Sequence, residues 1–311
     1  MKQIINVKFT MIIISIICIA LIVSPICNAG FNLKTIKRNN TVELQNVNHS
    51  QENSGTEYWA LLFAVGIYYK NPDMDRPSML EAADALYDVL IDSPQWEPDH
   101  IRTTTGEQAT GKNLIRDLIW LIQSEDADDM SLIYLTTHGS PLKNQNGYPV
   151  DLPPKDEADG ADEMLVMYHG FDRWYSFVWD DLLNFFLNRL QSRGVCVIVD
   201  SCYSGGFNDP PRGAKLHDYN VESFTQGLGE ELASQGRIVL MSCREDELSY
   251  GSFFSELLIE GFWGLADILG NGDGINSAEE AFDYADFILQ LFGDQDPTIL
   301  DLYPGEYPVT Y

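Results

Sequence analysis

Basic side chains are scarce in this sequence of 311 residues. It contains 19 lysines and arginines against 47 aspartates and glutamates, and its formal net charge at pH 7 is −28. A protein that binds nucleic acid needs a basic face for the phosphates, so the composition argues against a nucleic-acid partner. The excess of carboxylates is compatible with cationic substrates or divalent cations, although a well-solvated exterior also accounts for it.

Cysteine is also sparse, and no two cysteines form a C-x-x-C pair, which argues against a structural zinc site. Two of the five cysteines lie within residues 1–29, which leaves Cys196, Cys202 and Cys243. An odd number of cysteines in an exported chain indicates a free thiol. Whether the chain is exported depends on its N-terminal residues.

The N-terminus has the pattern of an export signal. Lys2 and Lys8 precede an apolar run over residues 11–23, and Ala29 is the small residue that a signal peptidase favours. We therefore predict a signal peptide at residues 1–29 and a secreted or cell-surface protein. The alternative is a retained membrane anchor, and only in that case would the membrane be a partner.

The remaining sequence predicts a linker and one large domain. Residues 30–56 are polar and rich in asparagine, as in a linker, and residues 57–311 are long enough for a single α/β domain with a substantial core. Strand and helix patterns alternate, which predicts a three-layer α/β/α sandwich with a mostly parallel central sheet. The predicted strands are 58–67, 100–105, 130–137, 165–168, 195–199 and 237–242, and the predicted helices are 78–91, 110–122, 179–190, 253–265 and 277–291.

Capping signals mark the start of two of these helices. Ser78 is followed by Glu81, and Ser277 by Glu280, which is the spacing of a capping box. The tail around residues 301–305 contains proline and glycine and is predicted to be irregular.

Two predicted strands are followed by side chains that can react with each other. The run 130–137 leads to His138-Gly139, and the run 195–199 leads to Asp200 and Cys202. Carboxyl ends of parallel strands meet at one edge of a sheet, and neighbouring strands lie about 5 Å apart. A thiol needs a base or a positive neighbour to become a thiolate.

The spacing therefore predicts a catalytic pair of His138 and Cys202. The backbone N–H groups of Gly139 and Cys202 could hold a developing oxyanion. The alternative is that His138 is an ordinary strand-end histidine and Cys202 a buried thiol. We adopt the buried-thiol interpretation for Cys196 and assign that residue to the core.

The two blocks resemble a known peptidase clan. Residues 134–140 (YLTTHGS) and 197–205 (VIVDSCYSG) resemble, in order and separation, the catalytic blocks of the caspase–legumain clan (clan CD) of cysteine peptidases. His-Gly-Ser is similar to legumains (peptidase C13). The Asp-Ser-Cys block, with residues 159–163 (DGADE) and 180–182 (DDL), is similar to metacaspases. The resemblance covers residues 57–270 and implies a caspase-like fold.

By position, the resemblance implies that Cys202 is the nucleophile and His138 the general base or cationic partner. Asp200 matches the residue that lines the S1 pocket of metacaspases, which cleave after Arg or Lys, and Thr136 and Ser242 would form other walls of that pocket. Legumains cleave after Asn and tend to carry Glu-Ala-Cys here, so this sequence departs from them. The alternative role for Asp200 is to order the loop.

No cofactor is required for this chemistry, but two regions are compatible with calcium. Asp180, Asp181 and Asp209 fall near positions that form a calcium site in some metacaspases, although carboxylates are also favoured in the first turn of a helix. The loop that contains residues 271–274 and ends at Glu280 resembles part of an EF-hand, but its first position is a leucine.

The sequence therefore predicts an exported cysteine endopeptidase whose partners are protein or peptide substrates, with cleavage after Arg or Lys. Self-cleavage after Arg212 or Lys215 is a further hypothesis. Two alternatives stay open: legumain-like cleavage after Asn or Asp, or transpeptidation, by the same dyad; and an inactive caspase-like domain that serves as a surface interaction module.

Overall fold

The computed structural model describes residues 55–142, 144, 148, 150–152, 162–173, 176–203, 232–242, 252–292 and 297–311, with Pro141, Cys202, Tyr203 and Phe292 described by their backbone. The predicted signal peptide and most of the predicted linker lie outside the described residues, as do Asp209, Arg212, Lys215 and Cys243. Among the helices that are described, none combines the length and apolar character needed to cross a bilayer.

A mostly parallel sheet forms the centre of the described part of the chain. Its strands lie in the order β2-β1-β3-β6-β7-β9, and β4 and β5 extend it beyond the end of β3. The first five pair in parallel, whereas β9 and the β4–β5 hairpin pair antiparallel. The strands are β1 (Tyr58–Ala64), β2 (Trp96–Thr105), β3 (Met130–Pro141), β4 (Glu163–Val166), β5 (Phe177–Trp179), β6 (Gly194–Tyr203), β7 (Arg237–Met241), β8 (Asn276–Ser277), β9 (Thr298–Asp301) and β10 (Pro308–Thr310).

Helices cover both faces of this sheet, which confirms the predicted three-layer α/β/α class. The apolar side chains of α1, α4 and α6 pack in one core cluster, and those of α2 and α3 pack in the cluster on the opposite face. Strands that are buried on both faces have continuous apolar sequences, and β1 is an example. The helices are α1 (Ser78–Asp92), α2 (Gly111–Ser124), α3 (Asp180–Leu187), α4 (Phe253–Glu260), α5 (Ala266–Leu269) and α6 (Ala278–Phe292).

Several boundaries differ from the prediction. Strand β3 runs past its predicted end, where β4 adds an antiparallel ladder to residues 139–141, and β6 stays paired with β3 as far as Tyr203. His138 and Cys202 therefore lie inside strands rather than after them. The predicted helix over 253–265 ends at Glu260, and a π turn follows in which Gly264 has a φ of +112°. Strands β5, β8, β9 and β10, each of two to four residues, were not predicted, because such short runs carry little pattern.

Only one of the two predicted capping boxes is present. Ser277 Oγ accepts a hydrogen bond from the N–H of Glu280 at 3.1 Å, and the Ser277 N–H and hydroxyl both lie 3.4 Å from Glu280 Oε2. The prediction at Ser78 was wrong, because Ser78 is already the first helical residue and Pro77 occupies the capping position without a side-chain hydrogen bond.

The two serines therefore make a matched pair of variants. We expect Ser277→Ala to lower the free energy of unfolding by about 1–2 kcal/mol, since it removes a buried cap. We expect Ser78→Ala to change it by less than about 0.5 kcal/mol, since no cap is lost. Urea denaturation followed by circular dichroism measures both, and equal losses would contradict the structural assignment.

Candidate active site

The register of β3 and β6 brings the predicted dyad together. His138 is the direct cross-strand partner of Cys202, and Thr136 is the partner of Asp200. Residues two apart on a strand share a face, so Thr136 and His138 lie on the same face of β3. The predicted nucleophile and base thus occupy neighbouring backbone positions, although they are 64 residues apart in the sequence.

The His138 imidazole has one nitrogen engaged and one available. Nε2 lies 2.8 Å from the carbonyl oxygen of Met74, an acceptor, so Nε2 carries the proton. Nδ1 is buried and has no hydrogen-bond partner among the described residues. The Met74 carbonyl therefore selects the tautomer in which Nδ1 can accept a proton.

Two aromatic rings surround this imidazole. The Tyr68 ring packs against it with 5.0 Å between centroids, and the Phe171 ring lies edge-on at 5.8 Å. Only 3% of His138 is exposed, and burial lowers its pKa to about 4, with a further decrease from the charge of Arg76 and a partial offset from the Met74 carbonyl. The imidazole is therefore uncharged at neutral pH in the free protein.

A second group of polar side chains surrounds Asp200. Its Oδ1 accepts a hydrogen bond from the Ser242 hydroxyl at 2.8 Å, and its Oδ2 accepts one from the Ser255 hydroxyl at 2.5 Å. The Tyr134 hydroxyl donates in turn to Ser255 Oγ at 2.8 Å. Asp200 is 4% exposed. The structure thus brings together Asp200 and Ser242, with Thr136 beside Asp200 in the ladder.

Sequence reasoning missed Ser255, Tyr134 and Met74. Tyr134 could have been predicted from the sequence, because side chains two residues apart on a strand share a face and Tyr134 precedes Thr136 and His138 on β3. Ser255 lies in α4 and Met74 in the loop after β1, and the sequence carries no pattern that would bring either to the site.

Further acidic side chains lie near Asp200. Burial raises the pKa of Glu256, and the charges of Glu260, Asp200 and Glu81 raise it further, in that order. Glu256 therefore adds acidic charge close to Asp200, which favours a cationic ligand over an anionic one.

Buried carboxylates also occur at the start of α3. Burial raises the pKa of Asp180 to about 6, and the charge of Asp162 contributes to the increase. Asp180 accepts hydrogen bonds from the N–H groups of Glu163 at 3.1 Å and of Asp181 at 3.0 Å. Oxygen donors of this kind suit calcium, but within the described ranges they do not form a group of three ligand atoms within 4.8 Å of one another.

The only group of three that meets this spacing within the described ranges is Glu97, Asp99 and His100 in β2. In the loop that resembles an EF-hand, Glu280 accepts a hydrogen bond from the N–H of Asn271 and takes part in the cap of α6. These hydrogen bonds of Glu280 are compatible with the interpretation that the loop leads into a capped helix.

Residues 62–211 match the family described as "Metacaspase, peptidase C14 domain". Similar curated proteins include Metacaspase-1 of Arabidopsis thaliana, which is 28% identical over 197 residues, covering 59% of this chain and 51% of the relative. Metacaspase-1B of Neurospora crassa is 31% identical over 106 residues, covering 33% of this chain and 22% of the relative. The chain therefore spans about half or less of the length of these relatives.

Solved structures share the fold. Caspase-1 from Spodoptera frugiperda superposes with a TM-score of 0.50 at 11% identity, covering 87% of this chain and 98% of the other. A protein from Geobacter sulfurreducens superposes with a TM-score of 0.53 at 15% identity, covering 82% and 98%. At these identities the likeness concerns the fold alone. Together, the family match and the relatives show that this chain is similar to metacaspases, and the solved structures show that it has a caspase-like fold.

Proposed function

We propose that this chain is a cysteine endopeptidase that cleaves after Arg or Lys, with Cys202 as nucleophile and His138 as general base. The observation that carries the proposal is the direct pairing of these two residues in the β3–β6 ladder. The buried neutral imidazole, with its Nδ1 available, supports the proposal because a thiol needs a neighbouring base to become a thiolate.

The proposed reaction begins when Nδ1 of His138 accepts the proton of the Cys202 thiol. The sulfur attacks the carbonyl carbon of the scissile bond, and the oxyanion is held by the backbone N–H groups of Gly139 and Cys202. The imidazolium then gives its proton to the leaving amine, and water hydrolyses the acyl-enzyme. Throughout, the Met74 carbonyl keeps the ring in place through Nε2–H.

The proposed preference for Arg or Lys at P1 is supported by the hydrogen bonds that Asp200 accepts. Its two oxygens accept hydrogen bonds from Ser242 and Ser255, and donors of this kind stabilise the ionised carboxylate. A carboxylate pairs strongly with a guanidinium or ammonium group. Thr136, whose backbone is paired with that of Asp200, would form another wall of the pocket.

The catalytic roles can be tested by substitution. We expect Cys202→Ala and His138→Ala each to lower kcat/KM on a fluorogenic Arg substrate by at least about 1000-fold, because each removes an atom that takes part in bond formation or proton transfer. Cys196→Ala is the matched control, since that thiol is buried in the core.

Full activity in both Cys202→Ala and His138→Ala would overturn the proposal and favour the non-catalytic interaction domain. An active dyad that transfers the acyl group to an added amine instead of water would identify a transpeptidase.

The role of Asp200 can be tested with peptides that carry Arg, Lys, Asn or Asp at P1. We expect cleavage after Arg and Lys, and we expect Asp200→Asn to lower kcat/KM for both by about 100-fold, the effect of losing roughly 2–3 kcal/mol of charge-assisted hydrogen bonding. An otherwise identical peptide with an uncharged P1 residue serves as the control.

Cleavage after Asn alone would contradict the assignment of Asp200 and indicate legumain-like specificity. An equal loss on charged and uncharged peptides would mean that Asp200 supports the structure of the site and does not select the substrate.

The pKa of His138 predicts an unusual pH dependence. The imidazole must be neutral to act as a base, and its folded pKa of about 4 lies below the ordinary value of 6.5. We therefore expect the acid limb of kcat/KM to fall to half its maximum near pH 4. Over the same window, from pH 6.5 to 4, the free energy of unfolding should decrease, because the unfolded chain binds a proton that folded His138 does not.

An NMR titration of the His138 imidazole measures this pKa directly. A midpoint near pH 6.5, together with an acid limb at the same pH, would mean that the ring is solvated and that the base is not buried in the active protein.

Calcium and export are further proposals. Calcium would be held near Asp180 and Asp181, and the buried carboxyl of Asp180 supports this by its chemistry. The peptide panel, run with and without calcium, tests the need for it. Export is supported by the basic and apolar pattern of residues 1–29 alone.

A further inference from the structure

Tyr68, in the loop between β1 and α1, hydrogen-bonds to the backbone of the proposed base. The His138 N–H donates to the Tyr68 hydroxyl at 3.0 Å, and the same hydroxyl lies 3.0 Å from Thr137 Oγ1. The Thr137 hydroxyl donates to the Val166 carbonyl. An N–H only donates and a carbonyl only accepts, so the direction of each hydrogen bond in this series is fixed. The His138 N–H donates to the Tyr68 hydroxyl, which donates to the Thr137 hydroxyl, which donates to the Val166 carbonyl in β4.

The ring of Tyr68 fixes the plane of the imidazole at the same time. It packs against His138 at 5.0 Å with an angle of 29° between the rings, and Phe171 lies edge-on to the Tyr68 ring at 4.9 Å. Tyr68 is 4% exposed. Its ring therefore excludes water from one face of the base.

The loop that carries Tyr68 also carries the acceptor for Nε2. The Tyr68 N–H donates to Asp75 Oδ1 at 2.8 Å, and the Arg76 N–H donates to the Gly66 carbonyl at 2.7 Å. These two bonds close the loop around Met74, whose carbonyl accepts from His138. Gly66 has a φ of +62°, and a Cβ there would lie 2.6 Å from the Leu80 side chain.

We propose that Tyr68 is a positioning residue for His138: its hydroxyl holds the backbone of the base and its ring holds the imidazole. The proposal rests on the proposed function, in which His138 is the base. Tyr68 acts only through His138, and its removal should therefore change the rate of the chemical step and leave substrate binding at Asp200 unchanged.

The first test is Tyr68→Phe, which removes the hydroxyl and keeps the ring. We expect kcat per active site to fall about tenfold, with KM changed by less than about twofold. Active sites are counted by irreversible alkylation of the reactive thiol, so that misfolded protein does not contribute. Tyr69→Phe is the matched control: Tyr69 packs on Tyr168 and His169, and we expect no change.

The second test is Tyr68→Ala, with Tyr68→Leu as a replacement should the alanine variant fail to fold. Loss of the ring admits water to the imidazole, and we expect the midpoint of the His138 NMR titration to rise from about 4 toward 6.5. Tyr68→Phe should leave it unchanged. Among the described residues, Arg76 is the charged group that acts on this imidazole and the Tyr68 phenol is the titratable group packed on it, and the variants leave Arg76 in place.

The outcomes separate this inference from the proposed function. Wild-type kcat in Tyr68→Phe, or an equal loss in Tyr69→Phe, would overturn the role of the hydroxyl. An unshifted His138 titration in both ring-removal variants would overturn the role of the ring. If the wild-type chain cleaves no peptide, the proposed function fails, and the NMR titration alone decides whether Tyr68 shields the imidazole.

Discussion

The site depends on one constraint, the in-register parallel ladder between β3 and β6. That ladder pairs His138 with Cys202 and, two residues earlier, Thr136 with Asp200. Side chains alternate between faces along a strand, so a slip of one residue would place His138 opposite Ser201 and turn every partner to the wrong face. The buried apolar runs on both faces of the sheet prevent such a slip, and the hydrophobic core therefore also specifies the geometry of the proposed catalytic pair.

Two buried titratable side chains in this small region have contrasting surroundings. Burial beside aromatic rings lowers the pKa of His138, whereas both carboxylate oxygens of Asp200 accept hydrogen bonds from hydroxyl groups. A neutral imidazole suits the proposed role of His138 as general base, and a carboxylate held by donors suits the proposed pairing of Asp200 with a cationic side chain.

The sequence was sufficient for the parts of the site that lie on strands, because apolar runs locate strands and the residues that follow them mark the sheet edge. It could not supply Met74, Tyr68 or Ser255, which reach the site from a loop and a helix far along the chain. Local spacing also misled at Ser78, where the capping pattern is present but the helix begins one residue too early to use it. Contacts between residues far apart in the sequence produce no periodic pattern from which they could be predicted.

The left-handed backbone of Gly66 has a genetic consequence. This glycine is 72 residues from His138 in the sequence, yet any side chain there would collide with Leu80 and displace the loop whose Met74 carbonyl accepts a hydrogen bond from the imidazole. In a library of random substitutions, we therefore expect inactive clones to cluster at this position as well as at the proposed dyad. Activity would then be sensitive to substitution at a third position, Gly66, which has no reactive side chain.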